Sequence, residues 1–185
     1  NLIKHFLKNN CEKVCRLKIN HYLCTHKPIK TDKNMKINLI YAIGDVADKV
    51  QHKNQFAQIM YKEVQRYYKD MVFDYVTFVP MHKKALKKRG YNQSRLLAKE
   101  LSRLTGKPCA CLLKKTRRTA EQKRLNAEQR RENVAGAFEC IGDLKGAAIL
   151  LIDDVCTTGS TLRECAAQLV AAGAKDVFAL VFAKT

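Results

Sequence analysis

The chain is 185 residues long, with 46% hydrophobic residues, eight cysteines and a net charge of +18. That length and apolar content suit one compact domain with an appendage, and no run approaches the ~20 apolar residues needed to cross a bilayer. The first ten residues are too charged for a signal peptide, so the scattered cysteines are expected as thiols in a cytoplasmic protein, not as a disulfide framework.

The opening at Asn1 instead of Met points to an earlier segment. The positive charge is unevenly placed. Residues 1–36 carry +7, residues 82–90 carry +5 and residues 114–131 carry +6, which is the whole of the excess. Concentration in three patches points to a polyanionic partner.

In chain order, residues 1–36 form a small basic appendage and residues 37–185 the domain. Within the appendage Cys11, Cys15, Cys24 and His26 are candidate Zn²⁺ ligands. Cys11 and Cys15 have three residues between them, the spacing of a structural zinc pair, whereas Cys24 and His26 have one. The other reading is a basic segment with incidental cysteines. Residues 37–43 read as a strand. Across residues 52–70, Phe56, Ile59, Met60, Val64, Tyr67 and Tyr68 make a helical stripe for a core. Residues 75–79 are a second strand, ended by Pro80.

Residues 81–93 follow as a basic loop containing Lys83 and Arg89. It leads into a helix carrying Leu97, Leu101 and Leu104, which Gly106 stops. A short strand is expected at 109–113. Residues 117–134, with Arg118 and Arg130, are polar and basic without an apolar stripe, which suits a mobile lid over phosphates. Inside that stretch Asn126 and Gln129 have capping-box spacing for a short helix towards Asn133. Residues 136–140 return to strand, and 176–183 form the last one. Cys109, Cys111, Cys140 and Cys165 fall in apolar patterns and are expected as small core residues.

Residues 149–161 are the stretch around which the others are arranged. Ile149, Leu150, Leu151 and Ile152 make a continuous apolar run, as in a strand buried on both faces. The run stops at two carboxylates, Asp153 and Asp154. A turn of Thr157, Thr158, Gly159, Ser160 and Thr161 follows. Leu162, Ala166, Leu169 and Ala172 then recur at helical spacing.

This order places a hydroxyl-rich loop at the carboxyl end of a strand, where open α/β sheets bind ligands. The loop enters a helix N-terminus, whose unpaired N–H groups and dipole favour a phosphate. Gly159 permits positive φ and close backbone approach. The carboxylates suit sugar hydroxyls or a hydrated Mg²⁺. A phosphorylated sugar would engage all of these groups. Alternating strands and helices with such loops argue for a parallel α/β sheet of about five strands.

Residues 149–161 resemble, without a gap, the phosphoribosyl-pyrophosphate (PRPP) signature of type I phosphoribosyltransferases. The resemblance implies a type I phosphoribosyltransferase-like parallel sheet flanked by helices. It implies that Asp153 and Asp154 contact the ribose, with Mg²⁺ as cofactor, and that residues 157–161 hold the 5′-phosphate. Lys83, Arg89, Arg118 and Arg130 are then candidates for the pyrophosphate end and its lid.

Two further stretches narrow the resemblance. One is Arg89-Gly90-Tyr91-Asn92-Gln93 with Leu96-Leu97-Ala98. The other is Arg118-Thr119, Gln122, Leu125, Arg130, Asn133-Val134 and Gly136-Ala137-Phe138. With the motif they resemble the ComF/GntX family of phosphoribosyltransferase-like competence proteins over residues 74–185. Members start with a four-cysteine zinc module, which residues 1–36 match only loosely, and Met81 stands where a second Pro is common. The resemblance implies a role in DNA uptake and natural transformation. Its expected partners are PRPP, single-stranded DNA, a helicase-like competence protein and a second copy of the chain in a homodimer.

Purine-salvage relatives carry an aspartate base where Thr157 stands, which argues against hypoxanthine or guanine as acceptor. Two readings stand. One is a Mg²⁺- and PRPP-dependent transferase with an unassigned acceptor. The other is a non-enzymatic module on a vestigial PRPP fold that binds single-stranded DNA and a partner protein.

Overall fold

A computed structural model describes residues 27–30, 36–41, 53–67, 72–119 and 126–184. In chain order the elements are β1 (Lys27–Lys30), β2 (Lys36–Tyr41), α1 (Lys53–Tyr67), β3 (Tyr75–Phe78), α2 (Lys83–Arg89) and α3 (Gln93–Thr105). They continue with β4 (Leu113–Lys115), α4 (Ala127–Val134), β5 (Phe138–Cys140), β6 (Ala148–Cys156), α5 (Ser160–Ala171) and β7 (Asp176–Lys184).

Five strands make the main sheet in the order β1-β2-β7-β6-β3. β2, β7, β6 and β3 run parallel, and β1 is antiparallel to β2. An isolated parallel bridge from Val76 to Cys109 extends the β3 edge. β4 and β5 form a separate antiparallel ribbon.

The apolar run is strand β6, and both of its faces are covered. Leu150 and Ile152 pack with Phe56 and Met60 of α1 and with Leu97 and Leu101 of α3. Ile149 and Leu151 pack on the opposite side with Leu162, Cys165 and Leu169 of α5. Burial on both sides explains why this strand reads as a continuous apolar run, without the alternation of a half-exposed one. β6 does not stop at the carboxylates as its sequence suggests. β7 runs beside it far enough to pair Asp153 with Val181 and Cys156 with Lys184, so the ladder carries the acids at the strand's end.

Three other expectations are corrected. Part of the basic loop at 81–93 is helix α2, because Lys, Ala, Leu and Arg are all strong helix formers. His82 caps it by accepting from the Lys84 N–H at 3.3 Å, and Gly90, at φ +83°, ends it with its N–H donating to the Leu86 carbonyl. The strand expected at 109–113 is one bridge at Cys109 followed by β4 from Leu113. Cys165 is fully buried, whereas Cys111 is exposed. In the expected lid, α4 carries the capping box of Asn126 and Gln129, and Val134 at its end anchors in the second core.

The start of α3 is tied to the sheet by one side chain. Asn92 accepts from the Arg95 N–H at 3.2 Å and donates to the Val79 carbonyl at 3.0 Å. Replacing Asn92 with Ala removes a cap and leaves a buried carbonyl unpaired, a loss of about 2–3 kcal/mol. Calorimetry should show the melting temperature falling by about 4–12 °C. Asn126→Ala, at an exposed cap, should cost about 1 kcal/mol.

Candidate functional site

Parallel topology brings the carboxyl ends of β6 and β3 to one edge, and the motif's acid sits there. Asp153 is 7% exposed. Its Oδ1 accepts from the Ser94 hydroxyl and from the Asp154 N–H, each at 2.9 Å. Burial pushes the Asp153 carboxyl well above its usual range, and the neighbouring Asp154 pushes the same way. The bonds from Ser94 and the Asp154 N–H oppose that rise without cancelling it.

Ser94 carries a role that its sequence position did not announce. Asn92, Gln93 and Ser94 are all buried at the start of α3. Three buried polar residues in a row at a helix start are costly unless each has a partner, and among the described residues no buried side-chain polar atom lacks one. The Asn-Gln-Ser stretch therefore fixes α3 to β3 through Asn92 and to the motif acid through Ser94.

The loop after β6 is held by its own hydroxyls. Thr158 Oγ1 and Ser160 Oγ lie 2.8 Å apart, and the Ser160 N–H donates to Thr158 Oγ1 at 3.4 Å. Arg163, one turn into α5, donates to the Thr158 carbonyl at 2.8 Å. Gly159 stands at the N-cap with φ +75° and no side-chain cap, so the helix opens without a protein acceptor from that position. A residue with a Cβ is strained at that φ. Asp153 and residues 155–162 line one hollow. The structure thus brings Asp153, Thr157, Thr158, Gly159, Ser160 and Thr161 together, with Asp154 half-buried beside Asp153.

The four candidate cations lie outside that lining. Lys83 and Arg89 are exposed on α2, Arg118 is exposed after β4, and Arg130 is half-buried on α4. Residues 120–125 of the expected lid, and Cys11, Cys15, Cys24 and His26, lie outside the described residues. Among the described residues, no three His, Cys, Asp or Glu gather to hold a metal. Two adjacent carboxyl groups at one strand end, with Asp153 lining the hollow, are an oxygen donor set that fits a hydrated Mg²⁺.

Lys115 is a cation that the sequence reading passed over. It lies on β4 two residues beyond buried Leu113, on the same inward side, while Lys114 points out to Glu139 at 3.1 Å. Its ammonium donates to Thr119 Oγ1 at 2.8 Å and stands 5.2 Å from the Phe138 ring centroid. Burial lowers its affinity for the proton. The period-two alternation of a strand was the signal that could have found it.

The chain belongs to the phosphoribosyl transferase domain family, whose model matches residues 56–185. Its fold is that of the type I phosphoribosyltransferases, a parallel sheet with helices on both faces. It is 39% identical over 105 residues to the DNA utilization protein YhgH of Escherichia coli O157:H7, a match covering 56% of this chain and 46% of that protein. It is 35% identical over 103 residues to Competence protein F of Haemophilus influenzae, covering 54% and 45%. The chain thus spans about half the length of the curated relatives it matches. Among solved structures, the phosphoribosylpyrophosphate synthetase of Mycobacterium smegmatis aligns at 22% identity and TM-score 0.45, over 69% of this chain and 33% of that one. The adenine phosphoribosyltransferase of Giardia lamblia aligns at 18% and 0.46, over 88% and 81%. Among the described residues no helix is long and apolar enough to cross a membrane.

The raised Asp153 carboxyl has a measurable consequence. The folded chain holds a proton that the unfolded chain releases near pH 4, so ionising Asp153 destabilises the fold progressively above that pH. Asn at this position still accepts from Ser94 and the Asp154 N–H but carries no charge. Asp153→Asn should therefore melt above the parent at pH 7, with the difference vanishing near pH 4. An equal loss of stability at both pH values would contradict the assignment.

Proposed function

We propose that this chain binds PRPP with Mg²⁺ at residues 149–161 and serves DNA handling during uptake or utilisation. The single observation that carries the first part is the buried, Ser94-held Asp153 facing a hollow that the Gly159 loop completes. The names of the relatives, DNA utilization protein and Competence protein F, support the second.

In this reading the N–H groups that open α5 take the 5′-phosphate. Asp153 and Asp154 accept from the ribose hydroxyls. Lys83, Arg89, Arg118 and Arg130 neutralise the pyrophosphate. Transfer would break the bond from C1 of the ribose to the pyrophosphate oxygen and form one from C1 to the acceptor. Magnesium, when bound, spreads the charge of the leaving pyrophosphate. The chain's own part is positioning and electrostatic complementarity. The acceptor is unassigned, and Thr157 lacks the carboxylate that a purine base would need there.

A second reading is a DNA- and partner-binding module without transfer chemistry. It is favoured by α2, where Lys83, Lys84, Lys87, Lys88 and Arg89 are all exposed and outside the hollow.

Thermal unfolding with PRPP and Mg²⁺ separates the two. At a hundredfold excess over Kd a specific ligand adds about 2.7 kcal/mol, or about 5–11 °C for a chain of this size. The parent should show that shift, and Asp153→Asn/Asp154→Asn should not. No shift in the parent would leave the second reading alone.

A further inference from the structure

The basic segment of α2 does not end at Arg89. Residues 83–107 hold nine Lys and Arg and a single acid, Glu100. Glu100 is already engaged by Arg103 at 3.3 Å and Lys53 at 3.9 Å. On α2, successive residues turn about 100°, so Lys84 and Lys88 project away from half-buried Leu86, with Lys87 beside them. On α3, Arg95, Lys99 and Arg103 recur every four residues and are all exposed. They lie opposite Leu97, Ala98 and Leu101, which face the core.

Only Gly90, Tyr91 and Asn92 separate the two helices, so the stripe on α3 starts within a turn of where α2 ends. Tyr91 stands at the junction, half-buried, with the Arg89 guanidinium 5.6 Å from its ring centroid. Among the described residues Lys84, Lys87, Lys88 and Lys99 have no acid within ion-pair distance. An exposed row of cations, four of its lysines without an acid partner, beside an aromatic ring combines the two features that bind single strands, phosphate neutralisation and a stacking platform.

We propose that the exposed faces of α2 and α3, with Tyr91 between them, form a track for single-stranded nucleic acid. Lysine and arginine meet successive phosphates along it, and Tyr91 stacks on one unpaired base. The assignment rests on the DNA-handling reading and locates its surface. Lys84, Lys87, Lys88 and the α3 stripe lie outside the lining of the hollow at Asp153 and are not among the cations assigned above to pyrophosphate.

Fluorescence anisotropy of the full chain with a labelled oligothymidylate, across a salt series, tests this. Lys84→Ala/Lys87→Ala/Lys88→Ala should lower the slope of log K against log salt by about 2, at about 0.7 per lost contact. Tyr91→Ala should weaken binding roughly 5- to 150-fold, in line with one lost stack, while Tyr91→Phe should bind as the parent does. The PRPP-induced rise in melting temperature, measured on the same samples, should be unchanged in the lysine variant. Parental slope and affinity in that variant would overturn the track. So would a parent that binds no oligonucleotide, even if it retains the PRPP response. Loss of the PRPP response in the lysine variant would also overturn it, by assigning these cations to pyrophosphate. Binding a duplex as tightly as the single strand would remove Tyr91 stacking.

Discussion

Ser94 donates a hydrogen bond across the sheet edge to a carboxylate that the fold has taken out of water, and the site depends on that contact. Asp153 stands on β6 between two packed layers, so its charge is costly there and its orientation must be held. Ser94 supplies the hold because Asn92, two residues earlier, ties α3 to the end of β3. The carboxylate, the helix start and the neighbouring strand thus form one rigid unit. On the proposed reading a ligand would meet that carboxyl already oriented by its supports.

The loop after β6 is built differently. It is a short turn closed by the hydroxyls of Thr158 and Ser160 and by Arg163 reaching back to a carbonyl. Gly159 adopts a backbone angle that side chains resist and leaves the start of α5 without a side-chain cap. The acid is fixed by tertiary contacts and the loop by local ones. Each is supported without the other, which suits a ligand with a sugar at one end and a phosphate at the other.

Legibility of the sequence followed the range of the forces involved. The β6 run, the α5 stripe and the capping box at Asn126 are local patterns, and each corresponds to its element. α2 was misread because five cations suggest a solvated loop, although the same residues favour a helix and His82 and Gly90 cap its two ends. Ser94 and Lys115 were passed over for another reason. Their roles come from partners 59 residues away for Ser94, and from strand alternation in a ribbon only three residues long for Lys115. Nothing in the residues near Ser94 says that Asp153 will lie beside it. The fold of the domain was readable, but the supports of its acid were not.

A crystal structure of the full chain with PRPP and Mg²⁺ tests the central claim most directly. The account predicts the 5′-phosphate on the N–H groups at the start of α5, the ribose hydroxyls on Asp153 and Asp154, and the Ser94 to Asp153 bond intact. Phosphate density on the basic helix with the Gly159 loop empty would contradict it. So would a sugar turned away from the two carboxylates.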